Sequence, residues 1–345
     1  MSLALRLAES GIAPDRLIRA GIRGLLRQRL RDERRESIEA LREHQRAFVA
    51  SLRQSPMAVE TRAANEQHYE VPPEFFLHAL GKRLKYSCCY YPEGNESLDQ
   101  AEEHMLALTC ERALVQDGMD LLELGCGWGS LTLWMAEHYP KARITAVSNS
   151  RPQREFILER CRERGLGNVA IITADMNHFT TDLRFDRILS VEMFEHMRNY
   201  ELLHRRIASW MKPEAKLFVH IFCHREYAYA FETEGPDDWM GRTFFTGGIM
   251  PSYNLLLCFQ DDVVVEDHWR VSGKHYRRTA EQWLRNMDHS RSQIMPVLET
   301  AYGKKDTALW FRRWRIFFMA CAELWGFRGG EEWLVAHYLF RKKPG

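Results

Sequence analysis

Between residues 121 and 222, five short apolar runs alternate with stretches patterned as helices, and this rhythm restricts the possible folds more than any other feature. The runs 121–124, 143–147, 169–174, 184–191 and 216–222 read as strands, and the intervening 131–138, 152–164 and 200–211 read as helices. Such alternation predicts an α/β fold with a doubly wound, mostly parallel sheet. Ligands of such sheets bind at the carboxyl ends of the strands. Two further strands are expected at 263–269 and 333–340, flanking a helical pair at 280–300 and 307–325. The aromatic stretch 225–260 is too long for a simple connection, so it is expected to be an insertion that covers the substrate.

Residues 1–55 are expected to be helical and are rich in arginine. Leu17, Ile18, Ile22, Leu25, Leu26 and Leu30 recur at helical spacing with arginines among them, and Pro56 ends the region. This pattern suits a helix packed on the main domain, or one that meets a membrane or a partner. The expected organisation is a helical N-terminal extension over 1–63 and a main domain over 64–345. There are no internal repeats and no low-complexity linker.

A net charge of +1 argues against nucleic acid as a partner. No apolar run is long enough to span a bilayer, and the N-terminus lacks a signal-peptide pattern, so membrane contact is not expected. The eight cysteines are scattered and form no Cys-x-x-Cys pair. A bound metal or a disulfide framework is therefore not expected, and a reducing cytoplasm fits best. Oligomeric state is not legible.

Gly125, Gly127 and Gly129 follow the first strand and precede a helix. Glycines there allow a tight turn and a close approach of backbone amides to a ligand. Dinucleotide enzymes use the same device. Two carboxylates favour S-adenosylmethionine as the cofactor. Glu123, just before the turn, suits its cationic amino-acid end. Asp175, after the third strand with Met176 beside it, suits the adenine amino group. After the second strand, where an acidic residue often holds ribose hydroxyls, stand Ser148-Asn149-Ser150 and then Gln153. These neutral groups either bind the ribose or merely cap the next helix.

Several motifs resemble the cyclopropane fatty acid synthase superfamily, and within it the coclaurine N-methyltransferase-like branch. They include Gln67-His-Tyr-Glu-Val-Pro-Pro-Glu-Phe-Phe76, Lys85-Tyr-Ser-Cys-Cys-Tyr-Tyr91, the glycine turn and Ser190-Val-Glu-Met-Phe-Glu-His-Met197. The resemblance implies a class I methyltransferase Rossmann-like sheet. It implies that Tyr86 and Ser87 touch the cofactor from a lid-like segment. It assigns the ribose end to Ser148, Asn149 and Gln153, and acid–base chemistry to Glu192, Glu195 and His196. On spacing alone these three also fit loop ion pairs and a helix cap.

The lipid-modifying branch uses bound bicarbonate as a base, and its bicarbonate pocket matches here at Cys88, Glu195, His220 and Tyr276. Departures lie close by. That branch usually has Gly at the positions of Glu192 and Arg198, Ile at Phe222 and Pro at Thr246. An added carboxylate suits an amine and ill suits an acyl chain. An alkyl amine with a pKa near 10 is only about one part in a thousand neutral at pH 7, a barrier of roughly 4 kcal/mol. A placed carboxylate or imidazole can take that proton. Tyr86, Tyr90, Trp239, Phe244, Phe245 and Tyr276 are expected around a flat or cationic acceptor. The expected activity is N-methylation of a small amine, aromatic or isoquinoline-like. The alternatives are methyl transfer to an unsaturated acyl lipid and S-adenosylmethionine binding without catalysis.

Overall fold

The computed structural model describes residues 3–59, 71–231, 233–235 and 238–344. The expected boundary at 63/64 and the motif residues 67–70 lie outside the described residues.

Seven strands form the central sheet in the order β3-β2-β1-β4-β5-β9-β8. β1 (Asp120–Leu124), β2 (Arg143–Ser148), β3 (Val169–Thr173), β4 (Phe185–Val191) and β5 (Met211–His224) run parallel. β9 (Trp333–Lys342) is antiparallel to both β5 and β8 (Val263–Val271). Strand order reverses between β1 and β4, and this switch point opens a crevice at their carboxyl ends.

The central strands are apolar on both faces because helices cover both. Leu121, Ile144, Leu189 and Phe218 pack in one layer with Leu106 and Met135. Leu122, Ile188, Leu217 and Val219 pack in the other with Tyr200, Leu203 and Ile207. The edge strand β8 instead exposes Glu266, Asp267 and His268, charged and polar groups that discourage a further strand from pairing.

A third core, rich in aromatic rings, joins the cap to the C-terminal helices. It unites the helices Gly273–His289, Arg291–Tyr302 and Thr307–Gly326 with parts of 225–260. That cap is no plain loop. It holds a two-stranded ribbon, β6 (Tyr229–Ala230) with β7 (Ile249–Met250), and the short helix Trp239–Thr243. The single helix expected over 280–300 is two helices that meet at Ser290.

The N-terminal helices Leu3–Ser10 and Asp15–Glu33 pack on Thr307–Gly326. Ile18, Ile22, Leu26 and Leu30 lie against the aromatic core, whereas Leu17 and Leu25 face outward. Part of the arginine content is spent on this docking: Arg19 pairs with Glu281 and Glu323, and Arg315 with Asp15. No described helix is long and apolar enough to cross a membrane. All eight cysteines are free, and no group of described side chains could hold a metal.

Candidate active site

The end of β1 turns sharply. Gly125 and Gly129 both adopt φ +81°, in the left-handed region. A Cβ at Gly125 would lie 2.7 Å from the Met193 side chain, and one at Gly129 would lie 2.7 Å from Ile157. Glycine is required at both positions. The amides of Gly125 and Cys126 both donate to the Val147 carbonyl at 3.0 Å, which ties the turn to β2.

This turn opens on a cleft of about 1190 Å³. Every residue expected to hold the cofactor lines it. Glu123, Gly125 and Gly127 come from the first turn, and Ser148, Asn149 and Gln153 from the end of β2. Asp175 and Met176 follow β3, and Tyr86 and Ser87 come from the loop before the helix Leu98–Arg112. That loop is pinned by the buried Glu102, which accepts hydrogen bonds from the amides of Gly81, Arg83 and Lys85. Burial raises the Glu102 carboxyl to about 7.

Glu123 is buried and accepts a 2.5 Å hydrogen bond from the Thr132 hydroxyl. Burial lifts it to about 7. Ser148 donates to Gln153 Oε1 at 2.7 Å, and Ser150 accepts from the Gln153 amide. Ser150 therefore caps the helix, while Ser148, Asn149 and Gln153 form cleft wall. Thr109 Oγ1, Trp128 Nε1, Ser130 Oγ and Gln153 Nε2 are buried on residues of this wall and have no hydrogen-bond partner. Buried polar groups of this kind are nearly always satisfied, so four together on one wall fit a polar ligand such as S-adenosylmethionine. Trp128, Ser130 and Thr109 were not legible as site residues.

A second cavity, of about 770 Å³, adjoins the first. Tyr86, Glu192 and His196 line both. The remaining wall is almost wholly apolar. Phe231, Met240, Phe245 and Met250 come from the cap, Phe222 from β5, and Tyr276, Trp283, Phe317, Cys321, Leu324 and Trp325 from the C-terminal helices. Tyr276 stacks on Trp325 with ring centroids 4.7 Å apart.

Glu192 sits at the junction with φ +48°, an unusual conformation for a residue bearing a Cβ. Its amide donates to the His220 carbonyl at 2.8 Å. Its Oε1 accepts from the Cys88 amide at 3.0 Å and from His220 Nε2 at 3.1 Å, and its Oε2 accepts from the Tyr276 hydroxyl at 2.6 Å. Burial pushes Glu192 above the usual carboxylate range, while Lys85, the Cys88 amide and the Tyr276 hydroxyl pull it back. Three of the four residues matched to the bicarbonate pocket thus hold a carboxylate of the chain itself.

The other expected groups divide in two. His196 lines both cavities and stacks on Phe245 at 4.6 Å, and burial lowers it to about 4. Glu195 forms no part of either wall. It is fully buried behind Phe222, whose amide it accepts at 2.7 Å, and burial together with the Glu192 charge pushes it well above the carboxylate range. Cys88 and His220 hold Glu192 from behind, whereas Phe222 and Tyr276 are true wall. Trp239, Phe244 and Tyr90 are corrections. Trp239 Nε1 donates to the buried Glu9, Phe244 stacks on Phe317 at 4.4 Å, and Tyr90 packs on His275. They form the layer behind the wall, because ring size and apolarity suit packing as well as binding.

Lys85 was legible only as part of a motif. It is buried, and its Nζ donates to Ser87 Oγ at 2.5 Å and to the Cys88 carbonyl at 2.8 Å. Its charge acts on both Glu123 and Glu192.

Residues 58–332 match the family model described as mycolic acid cyclopropane synthetase. The chain is 42% identical over 343 residues to the (S)-coclaurine N-methyltransferase of Thalictrum flavum subsp. glaucum, spanning 98% of this chain and 95% of that one. It superposes with TM-score 0.95 and 42% identity on a crystal structure of a coclaurine N-methyltransferase bound to N-methylheliamine and SAH, covering 98% of both chains. The cyclopropane-fatty-acyl-phospholipid synthase of Escherichia coli (strain K12) is more distant, at 27% identity over 273 residues, 78% of this chain and 66% of that one.

Proposed function

The chain belongs to the mycolic acid cyclopropane synthetase family and is an S-adenosylmethionine-dependent N-methyltransferase, and we propose that its acceptor is a secondary amine on an isoquinoline-like ring, received by Glu192 and His196. The relatives reported above support the acceptor class. One observation carries the roles of the side chains. Glu192 stands on the wall shared by both cavities, its carboxylate fixed by three donors.

When bound, S-adenosylmethionine supplies a methyl group on a sulfonium, open to attack by a lone pair. Thr109, Trp128, Ser130 and Gln153 offer polar atoms to it, and Glu123 offers a carboxylate to its ammonium. The amine arrives as an ammonium ion. Glu192 attracts that charge into an otherwise apolar chamber, where the attraction is poorly screened. It then takes the N–H proton, which frees the lone pair. His196, kept neutral by burial, is a second acceptor on the same wall. The rings of Phe222, Phe245 and Tyr276 exclude water and stabilise the cationic product by cation–π attraction. A chamber walled by the flat rings of Phe222, Phe245, Tyr276 and Trp325 suits a fused-ring amine.

The lipid reading is disfavoured because Cys88, His220 and Tyr276 already spend their donors on Glu192. The test offers labelled S-adenosylmethionine with tetrahydroisoquinoline amines in one reaction and with unsaturated phospholipid in another. Both products gain the same mass, so NMR distinguishes an N-methyl from a cyclopropane methylene. Label in the amine is expected. Label only in lipid would overturn the reading, and tight cofactor binding without turnover on either would reduce the protein to a binder.

A further inference from the structure

Behind Glu192 a line of hydrogen bonds runs back through the sheet. His220 Nε2 meets Glu192 Oε1 at 3.1 Å, and His220 Nδ1 meets His337 Nε2 at 2.9 Å. His337 Nδ1 meets Arg112 Nη1 at 2.8 Å. The two histidines are direct neighbours across the β5–β9 ladder, and neither has any exposed surface. Arg112 closes the helix Leu98–Arg112, half-buried, with its guanidinium 4.9 Å from the ring centre of Trp269.

This chain has only one consistent polarity. A guanidinium can donate but never accept. His337 Nδ1 must therefore be bare, which leaves the ring proton on Nε2. That proton is donated to His220 Nδ1, so the His220 proton is also on Nε2 and points at Glu192. Burial holds both rings neutral, well below the usual imidazole value. Each link fixes the next, and the second nitrogen of a histidine is set by the bond its first nitrogen makes.

We propose that Arg112 is a positioning residue for methyl transfer: acting through His337 and His220, it fixes the direction of the hydrogen-bond chain so that Glu192 is held as an acceptor-only carboxylate. Without Arg112 the chain can reverse. Glu192 can then take up a proton from solvent and, as the neutral acid, donate a hydrogen bond to the bare His220 Nε2, so that its charge and basicity are lost together. The inference rests on Glu192 as the group that receives the amine.

The test uses the full-length enzyme labelled with 15N-histidine. At neutral pH, His220 and His337 are both expected as the Nε2–H tautomer. An Nδ1–H tautomer or an imidazolium at either residue would overturn the proposal. In Arg112→Met the pure Nε2–H signature of His337 is expected to be lost, with kcat/KM for the amine falling about tenfold. Arg112→Lys, also donor-only, is expected to restore both. A drop in activity with unchanged tautomers, or changed tautomers with full activity, would equally overturn it. Should Arg112→Met fail to fold, the tautomers of the unaltered enzyme still decide. Glu192→Gln separates the two readings: full activity there refutes the role of Glu192 itself, whatever the tautomers show.

Discussion

The Tyr276 hydroxyl donates to Glu192 Oε2 at 2.6 Å, reaching from a C-terminal helix to the end of β4. This bond favours the carboxylate over the acid. Burial already raises Glu192, and removing a donor raises it further. Tyr276→Phe therefore moves the acid limb of the kcat/KM profile to higher pH. A hydrogen bond to a charged group contributes about 1.5–3 kcal/mol, so a shift of about one to two pH units is expected. A profile that coincides with that of the parent enzyme would remove Tyr276 from the mechanism.

Glu123, lifted to about 7 by burial, predicts pH-dependent cofactor affinity. Below that value the group is protonated and must release a proton before it can face an ammonium. Above it, the carboxylate is ready. The dissociation constant for S-adenosylhomocysteine should fall as pH rises towards 7, by up to about tenfold per unit, and level off above. Calorimetry across pH 5.5–8.5 checks this. Glu123→Gln should bind more weakly and flatten the curve.

Glu192→Gly removes the base and also a left-handed strain that costs a side chain about 1 kcal/mol. The variant should unfold at a lower temperature than its parent, since three buried donors lose their acceptor and this outweighs the relief of about 1 kcal/mol. Amine turnover should fall about a hundredfold or more. The Cys88 amide, His220 and Tyr276 then surround a space the size of a carboxylate, so added formate or bicarbonate should restore part of the rate. Assays with and without the anion decide; activity within about twofold of the parent would sink the base role.

Glu9 ties the first helix to the cap, accepting from Trp239 Nε1 at 2.9 Å and from Arg313 Nε at 2.8 Å. Glu9→Leu leaves Trp239 Nε1 buried and unpaired and strips the partly exposed Arg313 of its partner, a loss of about 1–3 kcal/mol in thermal unfolding. The helix of Trp239 also carries the cavity residue Met240, so KM for the amine should rise. Affinity for S-adenosylhomocysteine should not change, because none of these residues lines its cleft.

The cofactor half of the site was legible because its residues cluster at strand ends. Glu123 stands near the end of an apolar run that marks a strand, Ser148 and Asp175 stand just after such runs, and the fold brings these ends together. The acceptor half was not. Trp325, Leu324 and Phe317 reach the cavity through long-range packing, and in sequence they are simply apolar positions of a helix. Trp239 and Phe244 carry the same signal and turned out to be packing. The break at Ser290 leaves no mark in the sequence for a related reason. Met287 and Ile294 are both buried and stand seven residues apart, as in an unbroken helix, so the corner leaves the periodicity intact. Lys85 is a charge buried only by distant partners, which no local pattern announces.

Among the described residues, Tyr86, Glu192 and His196 are the only ones shared between the walls of the two cavities. The rest of the second cavity's described wall comes from β5, the cap and the C-terminal helices, and the rest of the first cavity's wall comes from other segments. The enzyme is thus built like a tool with a fixed handle and an exchangeable jaw. Changes at Phe231, Met240, Phe245 or Leu324 can redraw the outline of the amine that fits while the methyl donor and the base stay where they are.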